Sequence, residues 1–387
     1  MEEARRDITG TVVFAGGGTG GHLSPGLAVS EELATRAPGL KRVFACSTRS
    51  IDAHMLGPSG ANERFEPIEA SVFSVRPAGL WQFVRTWPGA VRQARELLER
   101  ENGTVVVALG GFVAAPVVRA AWSMGLPSVL LNLDVVPGKS NRLVARWCRE
   151  VISTCPTPSL PLFASRLIPM PLRRSTLAST FGGRAACRER LGFDTQPEKP
   201  VLLVTGASQG AASLNDLMLL LAREHADLLR PWQVYHLTGH GREGDMAAAY
   251  EQAGVRARVE PFQPSMGLAW GSADLAISRA GANSVAEIAA NAVPTLFLPY
   301  PHHRDQHQRF NAAELVEIGG AACVEDKVDP AANLREHGDL LRSLLTDASR
   351  RAVMRETLEA NRPANGAATM ADIVERLVTV AQCESSP

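Results

Sequence analysis

The chain opens in the same way twice. Thr11-Val12-Val13-Phe14-Ala15 runs into Gly16-Gly17-Gly18-Thr19-Gly20-Gly21-His22, and Val201-Leu202-Leu203-Val204-Thr205 runs into Gly206-Ala207-Ser208-Gln209-Gly210-Ala211. In both, a short aliphatic run ends in glycines and an amphipathic stretch follows, the pattern of strand, tight turn and helix in a parallel βαβ unit. Glycines there let backbone N–H groups approach an anion, and the helix N-terminus adds a favourable partial charge. The first loop lacks the Lys-Ser/Thr ending of a Walker loop, and no acidic ribose partner of a nicotinamide enzyme cleanly follows it. A third turn, Gly110-Gly111-Phe112, follows another aliphatic run at residues 104–108. One glycine turn is explained equally well by close packing. Three of them, two opening the two halves, fit a site that holds phosphates from both sides.

Further strand-like runs lie at 42–45, 128–131 and 151–154, and again at 233–237, 256–259, 275–278 and 295–298, with helical stretches between them. The first helix is expected from about Ser24, before Pro25, and another around 115–124. Between the two series stand Pro156, Pro158, Pro161, Pro169 and Pro171, too dense for a helix or a central strand, which makes this segment the linker candidate. The expectation is an α/β protein of two Rossmann-like domains facing each other across a cleft, residues 1–168 and 169–366. A tail helix over 367–382 would pack back on the first domain. Ligands are expected at the carboxyl ends of the strands.

At 387 residues the chain exceeds what one core usually supports. Lys+Arg and Asp+Glu each total 40, which counts against nucleic acid as a partner. The six cysteines are scattered without CxxC spacing, so neither a zinc site nor a disulfide framework is expected. The charged N-terminus lacks the apolar core of a signal peptide, and no run approaches the roughly 18 apolar residues of a transmembrane helix.

Gly17-Gly18-Thr19-Gly20-Gly21-His22 with Pro25-Gly26-Leu27-Ala28, Ser208-Gln209-Gly210-Ala211 with Asn215, and Arg279-Ala280-Gly281-Ala282-Asn283-Ser284-Val285-Ala286-Glu287 together resemble the MurG enzymes. So do Pro299-Tyr300-Pro301-His302, His307-Gln308 and Asn311-Ala312. These are UDP-N-acetylglucosamine:undecaprenyl-pyrophosphoryl-muramoyl-pentapeptide glucosaminyltransferases of glycosyltransferase family 28. The resemblance runs from about Val12 to the final helix. It implies the GT-B fold, with the donor UDP-N-acetylglucosamine bound mainly by the second domain, a lipid-linked acceptor by the first, and inversion at the anomeric carbon. No cofactor is implied, and Asp305 stands alone without a DxD-like metal site.

On the donor side the resemblance implies Glu287 at the ribose hydroxyls, where a carboxylate suits a diol. It implies Arg279 near the diphosphate, Ser208, Gln209 and Gly210 with Thr19, Gly20 and Gly21 at the phosphates, and Asn215 and Ala282 in the same site. Uracil falls by Phe262 and Gln263. His307 and Gln308 fall where the family reads the sugar with two glutamines, so one amide is replaced. On the acceptor side it implies Gly17, Gly18, Gly110, Gly111, Phe112, Asn141 and Arg173.

His22 reads either as a locally bonded structural histidine or as a general base. The family's His-Glu-Gln-Asn segment here is Leu131-Asn132-Leu133-Asp134, with carboxylate and amide exchanged. One residue intervenes, so on an extended segment Asn132 and Asp134 share a face, and Asp134 takes the acidic role. The acceptor proton is assigned to His22 or Asp134. Phe112 replaces a frequent Tyr, and Pro169-Met170-Pro171-Leu172-Arg173 replaces Gly-Asn-Pro-Val-Arg.

Phe73, Val75, Leu80, Trp81, Phe83, Val84 and Trp87 cluster with Arg76, Arg85 and Arg92. The cluster is either a core-covering helix or a patch that docks on the cytoplasmic face of the cell membrane, tryptophans at the interface and arginines on anionic head groups. Two rival functions remain: a family-28-like transferase with another lipid or natural-product acceptor, and a non-catalytic UDP-sugar-binding protein.

Overall fold

The computed structural model describes residues 8–17, 20–48, 63–71, 77–157, 160–196, 198–207, 210–301 and 306–385. It divides into two units, Met1–Arg173 with Asn365–Pro387, and Arg174–Ala364. The division falls after Arg173, where residue 168 was the expected limit. The proline-dense segment belongs to the first unit, with Phe163, Ile168 and Leu172 buried.

In the first unit the strands are β1 (Gly10–Gly16), β2 (Leu40–Cys46), β3 (Glu63–Pro67), β4 (Gly103–Gly110), β5 (Ser128–Asn132) and β6 (Glu150–Ser153). They form one parallel sheet in the order β3-β2-β1-β4-β5-β6. The helices used below are α1 (Gly20–Arg36), α2 (Pro77–Arg100), α3 (Gly111–Ser123) and α4 (Lys139–Val144). Along β1, Val12 and Phe14 face one core while Val13 and Ala15 face the other. Both faces are therefore covered by helices, which is why the strand is apolar throughout rather than alternating.

The second unit contains α5 (Arg184–Arg190), β7 (Val201–Thr205), α6 (Ala212–Glu224), β8 (Gln233–Leu237), α7 (Glu243–Gln252), β9 (Arg256–Glu260), α8 (Met266–Ser272) and β10 (Leu275–Ser278). There follow α9 (Ala282–Asn291), β11 (Thr295–Phe297), α10 (His307–Glu317), β12 (Ala321–Cys323), α11 (Pro330–Thr346) and α12 (Ala348–Ala360). The strand order is β12-β11-β10-β7-β8-β9, the same doubly wound order read from the other edge. Leu202 and Val204 face one core, Val201 and Leu203 the other.

The final helix, α13 (Gly366–Ser385), returns to the first unit. Met370, Ile373, Val374 and Leu377 join the core beneath β1 and α1. Asn365 pins the return: its Nδ2 donates to the Leu172 carbonyl at 2.8 Å, and its Oδ1 accepts from the Leu172 amide at 2.9 Å.

The first and third helices begin earlier than expected. α1 starts at Gly20, so Pro25 lies inside it, and α3 starts at Gly111. Gly20, Gly21 and Gly111 are thus helical rather than turn. β3 is a strand that the apolar pattern missed, since Glu63-Arg64-Phe65-Glu66-Pro67 is an edge strand with little burial.

Candidate functional site

In each doubly wound sheet the strand order reverses beside the first strand, and ligands bind outside the carboxyl ends there. The reversal lies between β1 and β4 in the first unit and between β7 and β10 in the second. All three glycine turns, and the Arg279 motif, end these strands.

In the first unit Gly16 pairs in register with Gly110. Gly111 has φ +77°, and a Cβ there would strike the Gly17 carbonyl oxygen, so the two turns touch backbone to backbone and only glycine fits. Ser140, at the start of α4, braces this contact by donating to the Gly111 carbonyl at 2.6 Å. His22 lies in the first turn of α1. Its ring is against Gly110, where an added Cβ would stand 3.1 Å from Cδ2 and 3.0 Å from Asn141 Oδ1. Asn141 Nδ2 donates to Asn132 Oδ1 at 3.2 Å, and Asn132 Nδ2 donates to the Asp134 carbonyl at 2.8 Å. His22, Gly110, Gly111, Asn132 and Asn141 therefore meet at one place.

One expectation changes here. β5 ends at Asn132 and the chain bends at Asp134, so the two residues do not share a face of one extended segment. Asn132 is fully buried, with its amide bonded to Asn141 and to the Asp134 carbonyl. Asp134 is half-buried on the bend. Arg173 is anchored to α1, its Nε 3.0 Å from Glu31 Oε1. Phe112 packs half-buried on the α2–α3 core. Gly18 and Thr19 lie outside the described residues; Gly20 opens α1 and Gly21 is exposed.

In the second unit Ser208 and Gln209 lie outside the described residues, and their flanks are held tightly. Gly210 has φ +72° and abuts the Thr238 carbonyl, directly ahead of α6. Asn215 is buried, donating to the Thr238 carbonyl at 3.0 Å and standing 3.0 Å from His236 Nε2. His236 Nδ1 lies 2.9 Å from the Tyr250 hydroxyl. Burial pushes His236 down to about 3, so the ring is neutral here. Asn215 thus clamps α6 to the end of β8.

Arg279, expected near the diphosphate, is buried just after β10. Its Nη1 donates to the Leu298 carbonyl at 2.6 Å and pairs with Asp326 Oδ2 at 2.7 Å, while Nη2 donates to Ser213 Oγ at 2.7 Å. Ser213 lies in the first turn of α6, so Arg279 holds the helix start that would meet an anion. Burial alone would raise the Asp326 carboxyl, but hydrogen bonds from Asn333, Ser213 and the Val328 amide, with Arg279 beside it, keep it below the ordinary range. Tyr300 covers the guanidinium, 5.7 Å from its ring centre.

Ala282 opens α9, and Glu287 sits one turn on, buried, its Oε2 accepting from Trp270 Nε1 at 2.8 Å. Gln263 donates to the Tyr235 hydroxyl at 2.9 Å and accepts from the Ser265 amide at 3.0 Å, leaving Phe262 beside it 41% exposed. Gln308, second in α10 after His307, accepts from the Tyr300 amide at 2.9 Å. Asp326 and Trp270 were absent from the sequence reading. Asp326 in particular carries no local signal: it is one acid in Glu325-Asp326-Lys327, and only the order of β10, β11 and β12 sets it beside Arg279.

On α2, Trp81 and Val84 are 64% and 62% exposed, and the Arg85 guanidinium lies 5.1 Å from the Trp81 ring centre. Trp87 instead packs half-buried on the core, against Phe83 at 5.3 Å between ring centres. So α2 is both core cover and exposed patch. Trp122 on α3 adds a second exposed indole, with Arg119 4.7 Å from its ring centre. Phe73, Val75 and Arg76 lie outside the described residues. Among those described, no helix is long and apolar enough to cross a membrane.

Two doubly wound units with glycine turns at their reversal points are the architecture of the GT-B fold. The profile of the glycosyltransferase family 28 N-terminal domain matches residues 12–153, and that of the C-terminal domain residues 201–376. The chain is 34% identical over 364 residues to the UDP-N-acetylglucosamine--N-acetylmuramyl-(pentapeptide) pyrophosphoryl-undecaprenol N-acetylglucosamine transferase of Acidithiobacillus ferrooxidans, covering 93% of this chain and 96% of the relative. The Xylella fastidiosa protein of that name is 34% identical over 367 residues, with 94% and 96% covered. The crystal structure of Acinetobacter baumannii MurG superposes with a TM-score of 0.69 at 22% identity, over 95% of this chain and 99% of that one. The chain belongs to this family, the MurG N-acetylglucosamine transferases.

Proposed function

We propose that the protein moves N-acetylglucosamine from UDP-N-acetylglucosamine to undecaprenyl-pyrophosphoryl-N-acetylmuramyl-pentapeptide (lipid I), with inversion, as a step of peptidoglycan synthesis. The observation that carries the donor half is the β7–β10 reversal point. There a glycine turn meets the start of α6, held by Arg279 through Ser213, and α9, the helix after β10, carries the buried Glu287 carboxylate. Backbone N–H groups at the turn and helix start take up charge on the departing diphosphate. Glu287 accepts hydrogen bonds from the ribose diol, and Gln308 with His307 reads the sugar.

The acceptor hydroxyl attacks the anomeric carbon, the bond from that carbon to the diphosphate oxygen breaks, and UDP leaves with the electron pair. The hydroxyl proton goes to His22, set against the Gly110–Gly111 turn, with Asp134 as the other candidate. A lipid-linked acceptor requires docking at the cytoplasmic face of the membrane. Trp81 and Trp122, each with an arginine on its ring, supply interfacial anchors with charge for anionic lipid.

Release of UDP from UDP-N-acetylglucosamine, measured with and without lipid I, tests the reading. Turnover only with lipid I is expected. Turnover with another lipid acceptor instead, for which the altered Leu131–Asp134 segment is the motive, would replace the acceptor assignment, and tight donor binding without any turnover would sink the enzyme reading.

A further inference from the structure

We propose that Trp270 is a positioning residue for nucleotide recognition, its indole N–H holding the Glu287 carboxylate in the orientation that grips the ribose hydroxyls. This rests on the ribose-binding reading of Glu287.

The indole of Trp270 is 1% exposed, and its Nε1 stands 2.8 Å from Glu287 Oε2, itself on a buried residue. A buried carboxylate that must accept from a ligand faces two difficulties. It must stay ionised away from water, and it must not swing toward other donors. An indole N–H answers both, because it donates and cannot accept. It therefore stabilises the anion without offering a competing acceptor to the donor hydroxyls.

Trp270 is in turn held from below. It lies on α8 and shares a core with Val285 and Ile288, two residues before and one after Glu287 on α9. α8 sits close enough to the preceding chain that a Cβ on Gly267 would stand 2.7 Å from the Leu177 carbonyl carbon. The helix cannot retreat, so the indole is fixed under α9 and the carboxylate with it. Locking a binding group by a supporting hydrogen bond is how recognition geometry is preorganised.

The test is calorimetric binding of UDP and of 2′,3′-dideoxy-UDP to the full-length wild type and to Trp270→Phe. A hydrogen bond to a charged group is worth roughly tenfold or more in affinity. UDP is expected to bind Trp270→Phe roughly tenfold more weakly, while the dideoxy nucleotide, already lacking the diol, weakens little further. Equal weakening of both nucleotides overturns the positioning role, since loss of packing alone would act without regard to the ribose. If wild type binds both nucleotides equally well, the ribose reading of Glu287 itself fails, and this proposal with it. Should Trp270→Phe fail to fold, Glu287→Gln probes the same link from the other side. The Trp270 indole N–H proton resonance is expected to move upfield as its acceptor loses charge; an unmoved resonance overturns the link.

Discussion

Arg279 and Asp326 form a buried ion pair, Nη1 to Oδ2 at 2.7 Å, across 47 residues of sequence. The arginine ends β10 and the aspartate follows β12, with the Leu298 carbonyl after β11 accepting from the same Nη1. Through Nη2 the pair extends to Ser213 at the start of α6. Three strand ends and one helix start are thereby tied together at the place proposed for the diphosphate. Removing one partner of a buried pair leaves an uncompensated charge, typically costing about 3–5 kcal/mol. Asp326→Ala and Arg279→Ala are each expected to lose stability of that order. The double variant should lose much less than the sum, read from urea midpoints; strict additivity would mean the pair is not coupled.

His236 gives the second unit a pH dependence of known sign. Burial pushes it down to about 3 from its ordinary 6.5. The unfolded chain takes up a proton below that ordinary value while the native state does not. The contribution is therefore complete above about pH 6.5 and is lost as pH falls toward 3, at about 1.4 kcal/mol per pH unit. His236→Gln should flatten the urea-denaturation stability profile between about pH 6.5 and 5 relative to wild type. An unchanged slope would show that the ring is not the group responsible.

The proton acceptor is separable by kinetics. Loss of a general base lowers kcat by roughly 10²–10⁴-fold. His22→Asn should do so while leaving UDP affinity intact. Asp134→Asn with a full rate would assign the proton to His22, and the reverse pattern would assign it to Asp134.

Membrane docking should depend on the outward indoles alone. Trp81→Glu with Trp122→Glu is expected to abolish flotation with anionic vesicles and to leave UDP-sugar binding unchanged. Trp87→Glu is a poor probe, since that side chain packs on the core and a buried charge there destabilises the fold. Retained flotation of the Trp81/Trp122 double variant would remove this surface from consideration.

The contact between the two first-unit turns predicts a sharp effect from one methyl group. Gly111→Ala places a Cβ at the Gly17 carbonyl and a non-glycine residue at φ +77°. The left-handed conformation alone costs about 1–2 kcal/mol. Acceptor turnover should fall steeply while calorimetric binding of UDP to the second unit is unaffected. Equal loss of both would mean the damage is global.

Much of this protein is legible along the chain because it is local. Val12-Val13-Phe14 and Leu202-Leu203-Val204 must be central strands, since strands covered on both faces have no polar side. The glycines that follow mark where each strand gives way to a helix, because backbone approaches backbone there. The doubled strand–turn–helix order already implies two Rossmann-like units, and His22, Gly110, Gly111 and Asn141 do converge. What sequence order could not settle is which polar side chains are used up by the fold. Asn132, Asn215, Gln263 and Arg279 carry the residue types of ligand contacts, yet each is engaged inside the protein. Asp326 and Trp270 carry no motif, yet they hold Arg279 and Glu287. Local periodicity depends on neighbours three or four residues away and is written in the chain. Hydrogen-bond partners are chosen across strands that only the sheet order brings together, and that choice belongs to the tertiary structure.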